Sequence, residues 1–488
     1  MAQIRSVQVE HFRGFSTFTT ALREHAVLVG EPGAGRSDLI EGIVRVLDRD
    51  YIRVRRGDEL DFHNADTTQD ATVELVLGDL SDAAIDAFTL LLELWDRETA
   101  SVLAELDDPN DFDEAQHEWI VRLAYRLSLR EDGRLDEIVH WPKAAGAAGE
   151  LRPVRPADRE YLPFLWQRGV SARPLDLSGR GELRDLIDAQ TGEPFEDAVE
   201  RFLEAVSEAA EQFSSQDRVR SALEAVLTPL RQVRRYDPTL GPEDTVRFLP
   251  DGGATSGLLR SLAAALTLQQ GPALLPATRH GTTALASLRA GLLLAAAGRL
   301  EDPIVAIDDL STDLDPGLAR YVAASLRPIA GQLLVAARAA SVTDVFEAEE
   351  IVRLSWAGDN RQVHLGRPAI DKADRLAQRY FASQIAPALS ASAVVVVEGL
   401  HDRLSIDAVA LRAASSGDAP SLAGAGIEII EANGNGEIAK VVAQCAQFGI
   451  YTIALFDNDG GARACPRTCD RGRGRCRCDA SSAAADRD

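Results

Sequence analysis

The sequence predicts an α/β protein in which two parallel-sheet domains follow one another and a helical segment is inserted into the first. Three observations predict this class. A glycine-rich turn joins an apolar strand to a helix near Gly30, a second apolar strand ends in Asp308 and Asp309, and a β-α-β-α-β pattern covers residues 393–460. Because parallel strands bring their carboxyl ends to one edge of a sheet, we expect the functional sites at these strand ends.

The N-terminal region begins with two predicted strands. Residues 4–15 alternate apolar and polar side chains, as an edge strand does, and end in a Phe-Arg-Gly-Phe turn. Residues 26–29 are an apolar run, which predicts a buried strand. Residues 37–44 repeat apolar side chains at helical spacing and predict the helix that follows.

The turn between that strand and helix has the spacing G-x-x-x-x-G-[basic]-S. Glycines at this spacing let backbone N–H groups converge on a polyphosphate at a helix N-terminus, and a serine there can ligate Mg²⁺. An alternative interpretation is a glycine-rich turn that binds nothing. The residues that we expect to hold a nucleotide are Gly30, Gly33, Gly35, Arg36 and Ser37.

Together these N-terminal features resemble the ABC-type ATPase heads of chromosome-maintenance proteins, repair ATPases and OLD-family (overcoming-lysogenization-defect) nucleases. The resemblance implies a head that binds ATP with Mg²⁺ and dimerises. One residue departs from the pattern, because Arg36 stands where a lysine is usual. Its planar fork keeps the positive charge but differs in shape from a compact ammonium group.

The middle of the chain predicts a strand at 71–77, helix at 82–106, a strand at 119–129 and mostly loop at 141–180. Residues 182–235 carry apolar positions at helical spacing beneath abundant charge, which predicts long amphipathic helices. These helices form either a dimerisation arm or one side of the head. The sequence leaves both alternatives open.

The pattern of the head resumes near residue 281. Residues 281–283 resemble the turn of ABC-type heads that approaches the γ-phosphate bound by the opposite subunit, although a simple helix N-cap by a threonine is the alternative. Further on, Asp308 is expected to hold the metal and Asp309 to orient the attacking water. Arg338 follows the next buried strand, where the resembled families place a histidine that contacts the γ-phosphate.

Three departures from the resembled heads bear on hydrolysis more than on binding. They are Arg36, Asp309 in place of glutamate, and Arg338 in place of histidine. The aspartate is one methylene shorter than glutamate, and a displacement of about 1 Å can cost roughly 10²-fold in rate. We therefore expect nucleotide binding and dimerisation with slow or absent ATP turnover.

A second cluster of acids follows two predicted strands near the C-terminus. Glu398 ends an apolar strand, Asp402 lies at the start of the following helix, and Asp457 and Asp459 end a later strand. Carboxylates on neighbouring parallel strands can converge on one or two divalent ions, which can support phosphodiester cleavage. Asp402 is expected to be a further ligand or to orient one.

This second pattern resembles the Toprim domain of topoisomerases, primases and OLD nucleases. With an ABC-type head upstream, it indicates the OLD family over residues 1 to about 460. A Toprim fold ordinarily continues with a further helix and strand, whereas residues 461–488 are rich in Arg and Cys without hydrophobic periodicity. We therefore expect an incomplete Toprim domain and a disordered tail, because the cysteine spacing fits neither a usual zinc module nor a disulfide framework.

Composition limits the partners and the compartment. The formal net charge of −24 in 488 residues excludes wholesale electrostatic wrapping of nucleic acid, so that DNA would bind a local basic surface. No apolar run is long enough to cross a bilayer, and the N-terminus has no signal-peptide pattern. We expect a cytoplasmic protein without a membrane partner.

The leading hypothesis is an OLD-like, ATP-binding DNA endonuclease of phage defence or repair, using Mg²⁺ or Mn²⁺, whose dimerised heads position the Toprim sites. An accessory protein is a further expected partner. The alternatives are a regulatory ATP-binding protein without nuclease activity and a repair-type ATPase that bridges DNA without cutting. The expected metal ligands are Ser37, Asp308, Glu398, Asp457 and Asp459. The expected domains are an N-terminal head lobe (1–80), an insertion (81–240), a C-terminal head lobe (241–370), a Toprim-like domain (385–460) and the tail (461–488).

Overall fold

The fold of the chain is mixed α/β, as predicted. The computed structural model describes residues 2–48, 56–103, 112–144, 150–168, 186–187, 195–221, 265–267, 274–276, 282–312, 314–338, 340–358 and 360–456. The chain divides into two compact units, one formed by residues 1–169 and 297–488 and the other by residues 170–296. No helix among the described residues combines the length and the apolar character of a membrane span.

The first sheet of the larger unit is antiparallel and has the strand order β2-β1-β4-β7-β5-β6, with β8 pairing β7 and β9. Its strands are β1 (Gln3–Phe12), β2 (Phe15–Ala21), β4 (Ala71–Gly78), β5 (Glu93–Asp96), β6 (Ser101–Leu103), β7 (His117–Leu129), β8 (Leu135–Trp141) and β9 (Arg152–Pro153). The short helix α2 (Asp82–Ala87) lies between β4 and β5.

The second sheet is parallel except for its last hairpin and has the order β10-β13-β14-β3-β15-β16. Its strands are β3 (His25–Gly30), β10 (Phe164–Arg168), β13 (Ile304–Asp308), β14 (Gln332–Ala336), β15 (Ile351–Ala357) and β16 (Asn360–Leu365). The helices between these strands are α1 (Arg36–Leu47), α5 (Pro316–Leu326) and α6 (Ala340–Thr343).

Helix α1 joins the two sheets through a common core. Its apolar residues at 39, 40, 43 and 44 are at most 1% exposed and belong to one cluster with Val73 of β4 and Ala306 of β13. The helix approaches β4 closely at Gly42, where a Cβ would lie 3.2 Å from a methyl of Val73. This packing fixes the N-terminus of α1 relative to the carboxyl ends of β3 and β13.

The C-terminal part of the larger unit is a three-stranded parallel sheet with the order β18-β17-β19. Its strands are β17 (Ala393–Val397), β18 (Ile427–Glu431) and β19 (Tyr451–Ala454). The helices of this part are α7 (Lys372–Ile385), α8 (Leu400–Ser416) and α9 (Asn435–Gln447). The β-α-β-α-β order predicted from the sequence is therefore present through residue 456.

The smaller unit includes helix α3 (Phe195–Ser215), the hairpin of β11 (Ala265–Thr267) and β12 (Leu274–Pro276), and most of helix α4 (Thr282–Ala297). Helix α3 lies in the region predicted to form long amphipathic helices. The remaining predictions for 222–264 lie outside the described residues.

Three local predictions differ from the structure. Strand β1 is not an edge strand, because it pairs with both β2 and β4. The helix predicted over 82–106 ends at Ala87, and β5 follows because residues 93–96 pair with β7, where tertiary pairing overrides local periodicity. Strands up to Arg168 extend both head sheets, so the insertion predicted from residue 81 does not begin before β10 ends.

Helix α8 has the predicted position, and several of its apolar side chains are exposed. Leu404, Val409 and Leu411 are 55%, 70% and 70% exposed, and no residue of the helix is buried. The described part of the chain does not cover the apolar side chains.

Candidate nucleotide and carboxylate sites

The predicted phosphate loop joins β3 to α1 and requires glycine at its ends. Gly30, Gly33 and Gly35 have φ values of 140°, 74° and 93°, in the region that favours glycine. A Cβ at Gly30 would lie 2.0 Å from the carbonyl oxygen of Leu354, and one at Gly35 would lie 2.7 Å from the ring of Phe15. The backbone N–H groups of such a loop and of the helix N-terminus are the groups that bind phosphate.

Ser37 and Asp308, predicted as ligands of one metal ion, meet in the structure. The Ser37 hydroxyl donates a hydrogen bond of 2.7 Å to Oδ1 of Asp308. Asp308 ends β13 and is 5% exposed, and burial raises its pKa against the opposing effects of that hydrogen bond and of Arg168. A hydroxyl beside a carboxylate is an oxygen pair that suits Mg²⁺, so these two residues fit the predicted metal.

Arg168 is a residue of this site that the sequence analysis missed. Its Nε lies 3.2 Å from Oδ2 of Asp308, and its Nη1 donates to the buried Glu41 of α1 at 2.7 Å. The parallel pairing of β10 with β13 places residue 168 opposite residue 308. The sequence shows only an arginine at the end of a short apolar segment. It does not show that this segment pairs with β13.

Asp309 and Arg338, two of the three departures from the resembled heads, form an ion pair. Nε of Arg338 lies 2.9 Å from Oδ2 of Asp309, and the arginine side chain is 70% exposed. Asp309 has φ 65°, an uncommon conformation for a residue other than glycine, and its N–H donates to the carbonyl of Ala336. The acid predicted to orient water is therefore held toward the end of β14.

Arg36, the third departure, reaches the same strand end. Its Nη1 donates to the carbonyl of Ala337 at 2.9 Å, and burial, followed by the charge of Arg338, lowers its pKa. A small cavity of about 20 Å³, roughly the space of one water molecule, adjoins these groups. Its lining residues are Arg36, Ser37, Asp308, Asp309, Ala336, Ala337 and Arg338.

The predicted carboxylate site lies at the carboxyl edge of the second parallel sheet. Glu398 directly follows β17, and Asp402 accepts a hydrogen bond of 3.2 Å from the N–H of Gly399, so this aspartate also stabilises the start of α8. Glu431, which the sequence analysis missed, ends β18 opposite Val397 and pairs with Arg403 at 3.2 Å. The edge thus carries three acids and one base.

Several predicted residues lie outside the described residues, namely Gly281, Asp457 and Asp459. The register Val396 to Ala454 nevertheless brings the described end of the chain, Phe456, to the edge that holds Glu398. Within the described residues, no group of three or more His, Cys, Asp or Glu side chains is placed to hold a metal ion.

One family model matches the C-terminal part of the chain. Residues 389–459 match the model described as "Overcoming lysogenization defect protein-like, TOPRIM domain", which confirms the predicted OLD-like Toprim domain. The matched range includes the positions of Glu398, Asp402, Asp457 and Asp459. No curated protein sequence matches the chain.

The chain is also similar to solved SMC head structures. An Smc head bound to the C-winged helix domain of ScpA is 15% identical, and the match covers 76% of this chain and 98% of that chain with a TM-score of 0.41. An Smc head with an extended coiled coil, bound to the C-terminal domain of ScpA and derived from Pyrococcus furiosus, is 12% identical, with coverages of 74% and 96% and a TM-score of 0.38. The SMC head domain from Thermotoga maritima is 12% identical, with coverages of 75% and 100% and a TM-score of 0.29. Of these comparisons, the family model assigns an OLD-like Toprim domain to residues 389–459.

Proposed function

We propose that this protein is an ATP-binding, divalent-metal-dependent DNA endonuclease. The observation that carries the proposal is the OLD-like Toprim domain with Glu398 at the carboxyl end of β17, beside the parallel strand that leads to Asp457. A phosphate loop with a paired hydroxyl and carboxylate in the same compact unit supports the nucleotide part of the proposal.

For the nucleotide, Ser37 and Asp308 would hold Mg²⁺ and the loop glycines would bind the phosphates. An open pocket of about 630 Å³ adjoins the first turn of α1 and is lined in part by Arg13, Asp38 and Asn64. Leu60, Phe62 and Ala65 also line the pocket, so that it offers both polar and apolar surface to a ribose and a base. ATP binding is then expected to precede dimerisation of two heads, with Gly281 approaching the γ-phosphate of the partner's nucleotide.

Slow hydrolysis follows from the groups beyond the metal pair. Asp309 is short, lies on an unusual backbone conformation and is engaged by Arg338. Arg36 is directed to a backbone carbonyl. We therefore propose that bound ATP acts mainly as a signal for assembly, while its hydrolysis resets the protein slowly.

For the nuclease, Glu398, Asp457 and Asp459 would hold one or two Mg²⁺ or Mn²⁺ ions. The ions would supply an activated water and stabilise the leaving oxygen of a phosphodiester. Asp402 keeps the N-terminus of α8 beside Glu398, and Arg403, which is paired with Glu431, places one positively charged group at this acidic edge. DNA with its backbone on this edge is the proposed substrate.

The second candidate is a regulatory ATP-binding protein without nuclease activity. The Asp309–Arg338 pair favours it, because a head that seldom hydrolyses ATP suits a protein that works through dimerisation and partner contacts. The two candidates differ in one measurable property, which is cleavage of DNA.

The test is cleavage of supercoiled plasmid by the full chain with Mg²⁺ or Mn²⁺, with and without ATP. Glu398→Gln and Asp457→Ala are expected to abolish nicking. Glu428→Gln is the matched control, because Glu428 lies on the same sheet near the amino end of β18 and should retain activity. Absence of cleavage by folded protein that binds ATP would refute the nuclease and leave the regulatory candidate.

A further inference from the structure

Arg353 is a fully buried arginine in the interior of β15. Its side chain has 0% exposure, and β15 lies directly beside β3, the strand that leads into the phosphate loop. Position 353 pairs with Val29, one residue before the loop begins. The proposed nucleotide and carboxylate chemistry uses neither this residue nor its strand.

The guanidinium group of Arg353 makes four hydrogen bonds, and three of them go to the Toprim part of the chain. Nε donates to the carbonyl of Leu389 at 3.1 Å, Nη2 to that of Ala391 at 2.9 Å, and Nη1 to that of Phe448 at 3.0 Å. Nη2 also donates to Oε1 of Glu31 at 3.2 Å. Glu31 follows Gly30 in the phosphate loop.

The three carbonyls belong to segments that enter strands of the Toprim sheet. Leu389 and Ala391 immediately precede β17, whose carboxyl end carries Glu398, and Phe448 precedes β19, which leads to Asp457. One planar group thus holds the amino ends of the two strands whose other ends carry the proposed metal ligands. A fork with several donors in fixed geometry can do this, whereas a lysine cannot.

A second contact joins the same two parts of the unit. Nε2 of His364 in β16 lies within hydrogen-bond distance, 2.9 Å, of the Ser355 hydroxyl, and the His364 ring lies against Gly449. A Cβ at Gly449 would lie 2.1 Å from the ring, and the residue has φ 65°. The β15–β16 hairpin is therefore closely packed against the turn before β19.

A buried arginine is a poor choice for stability alone. Burial of a charge carries a desolvation penalty, and apolar residues of similar volume often stabilise a protein equally well or better. The acid that balances Arg353 comes from the loop that would surround a triphosphate. A movement of the phosphate loop, or a change in its charge, therefore affects the Arg353 guanidinium group that holds the Toprim strands.

We propose that the Glu31–Arg353 pair couples the phosphate loop to the Toprim sheet, so that nucleotide binding changes the packing of β17 and β19. The part of this inference that concerns nucleotide rests on the proposed ATP site. An anionic triphosphate beside Glu31 weakens or reorients the ion pair, and the guanidinium transmits the change to the carbonyls before both strands. If nucleotide binding changes the affinity of the Toprim edge for a metal ion by some factor, linkage requires that metal binding change the affinity for nucleotide by the same factor.

The test uses the full chain and amide hydrogen exchange of wild type and Glu31→Gln. The Glu31 side chain is 18% exposed, and glutamine keeps its shape and an acceptor oxygen for Arg353 while it removes the negative charge. Without nucleotide, we expect exchange in 389–397 and 448–455 to become about fivefold faster or more, with β7 unchanged. Glu24→Gln is the matched control, because Glu24 lies just before β3 and its side chain is 69% exposed.

With ATP and Mg²⁺ at concentrations that saturate each variant in a binding titration, exchange in the same two segments should change in wild type. In Glu31→Gln that change should be absent. Arg353→Lys, which keeps the charge with fewer donors in fixed positions, should reduce the nucleotide response without abolishing the fold. These results would not arise if Arg353 only stabilised the protein.

The two inferences fail in different ways. Unchanged exchange of nucleotide-free Glu31→Gln, or an equal nucleotide response in Glu31→Gln and wild type, would overturn the coupling. Wild type that binds no ATP would refute the proposed nucleotide function, and the comparison without nucleotide would still decide whether the loop and the Toprim sheet are linked.

Discussion

Replacement of Asp309 by glutamate is the most informative perturbation of the head. The slow ATP turnover that we propose would have two causes, the short side chain of Asp309 and its ion pair with Arg338. The two causes predict increases of different size in the ATPase rate when each is removed. An experiment on single variants can therefore decide which reason dominates.

The ion pair is the weaker effect. The Asp309 side chain is 13% exposed, but that of Arg338 is 70% exposed, and ion pairs with a solvated partner contribute about 1 kcal/mol or less. Loss of 1 kcal/mol changes a population by roughly fivefold at most. Arg338→Gln should therefore raise the ATPase rate by no more than about fivefold, even if every released carboxylate is productive.

The reach of the carboxylate is the stronger effect. Glutamate extends the group by one methylene, and a misplacement of about 1 Å can cost roughly 10²-fold. Asp309→Glu should therefore raise turnover by up to about 10²-fold. The gain is limited by the backbone, because φ 65° is tolerated by aspartate and costs glutamate about 1 kcal/mol of stability.

The assay is phosphate release at saturating ATP and Mg²⁺, with Asp344→Glu as a matched control, because Asp344 does not line the small cavity beside Asp309. Ser37→Ala in each background verifies that the signal comes from the phosphate-loop site. If Arg338→Gln raised the rate more than tenfold while Asp309→Glu left it unchanged, the ion pair rather than the reach would control turnover, and the reasoning from side-chain length would be wrong.

Three further predictions concern binding and stability. Ser37→Ala should weaken Mg²⁺-dependent ATP binding by about tenfold in a fluorescent-nucleotide titration, since it removes one oxygen of the metal pair, and equal affinity with and without Mg²⁺ in wild type would contradict this. Arg45→Met should lower the free energy of unfolding, measured by local hydrogen exchange, by about 3 to 5 kcal/mol, because Asp61 and Glu137 stay buried without the arginine. Arg130→Met removes an exposed ion pair with Asp136 and should lower that free energy by less than about 1 kcal/mol. Burial lowers the pKa of His25 to about 4, so the unfolded chain binds one more proton than the folded chain between pH 6.5 and 4. The stability of wild type should therefore fall across that window on acidification, and His25→Gln should lack this part of the pH dependence in thermal unfolding.

Much of the fold was predictable because the decisive signals are local. Glycines between an apolar strand and a helix predicted the phosphate loop, and acids at strand ends predicted Asp308 and Glu398 at sheet edges. Strand periodicity likewise predicted β7, β13, β14 and the order of the Toprim elements. Departures arose where pairing across the sheet decided the outcome, as at β5, which pairs with β7 although its own segment has helical spacing.

Residue type and short spacing were enough to predict a glycine-rich loop between a strand and a helix, a serine at the start of that helix and carboxylates at strand ends. Which charged groups face one another depends on the three-dimensional packing. Arg168 reaches Asp308 from a strand more than a hundred residues away, Arg338 engages Asp309, and Arg353 links Glu31 to the Toprim strands. Such partners are set by strand order and packing, and neither can be obtained from the spacing of residues along one chain.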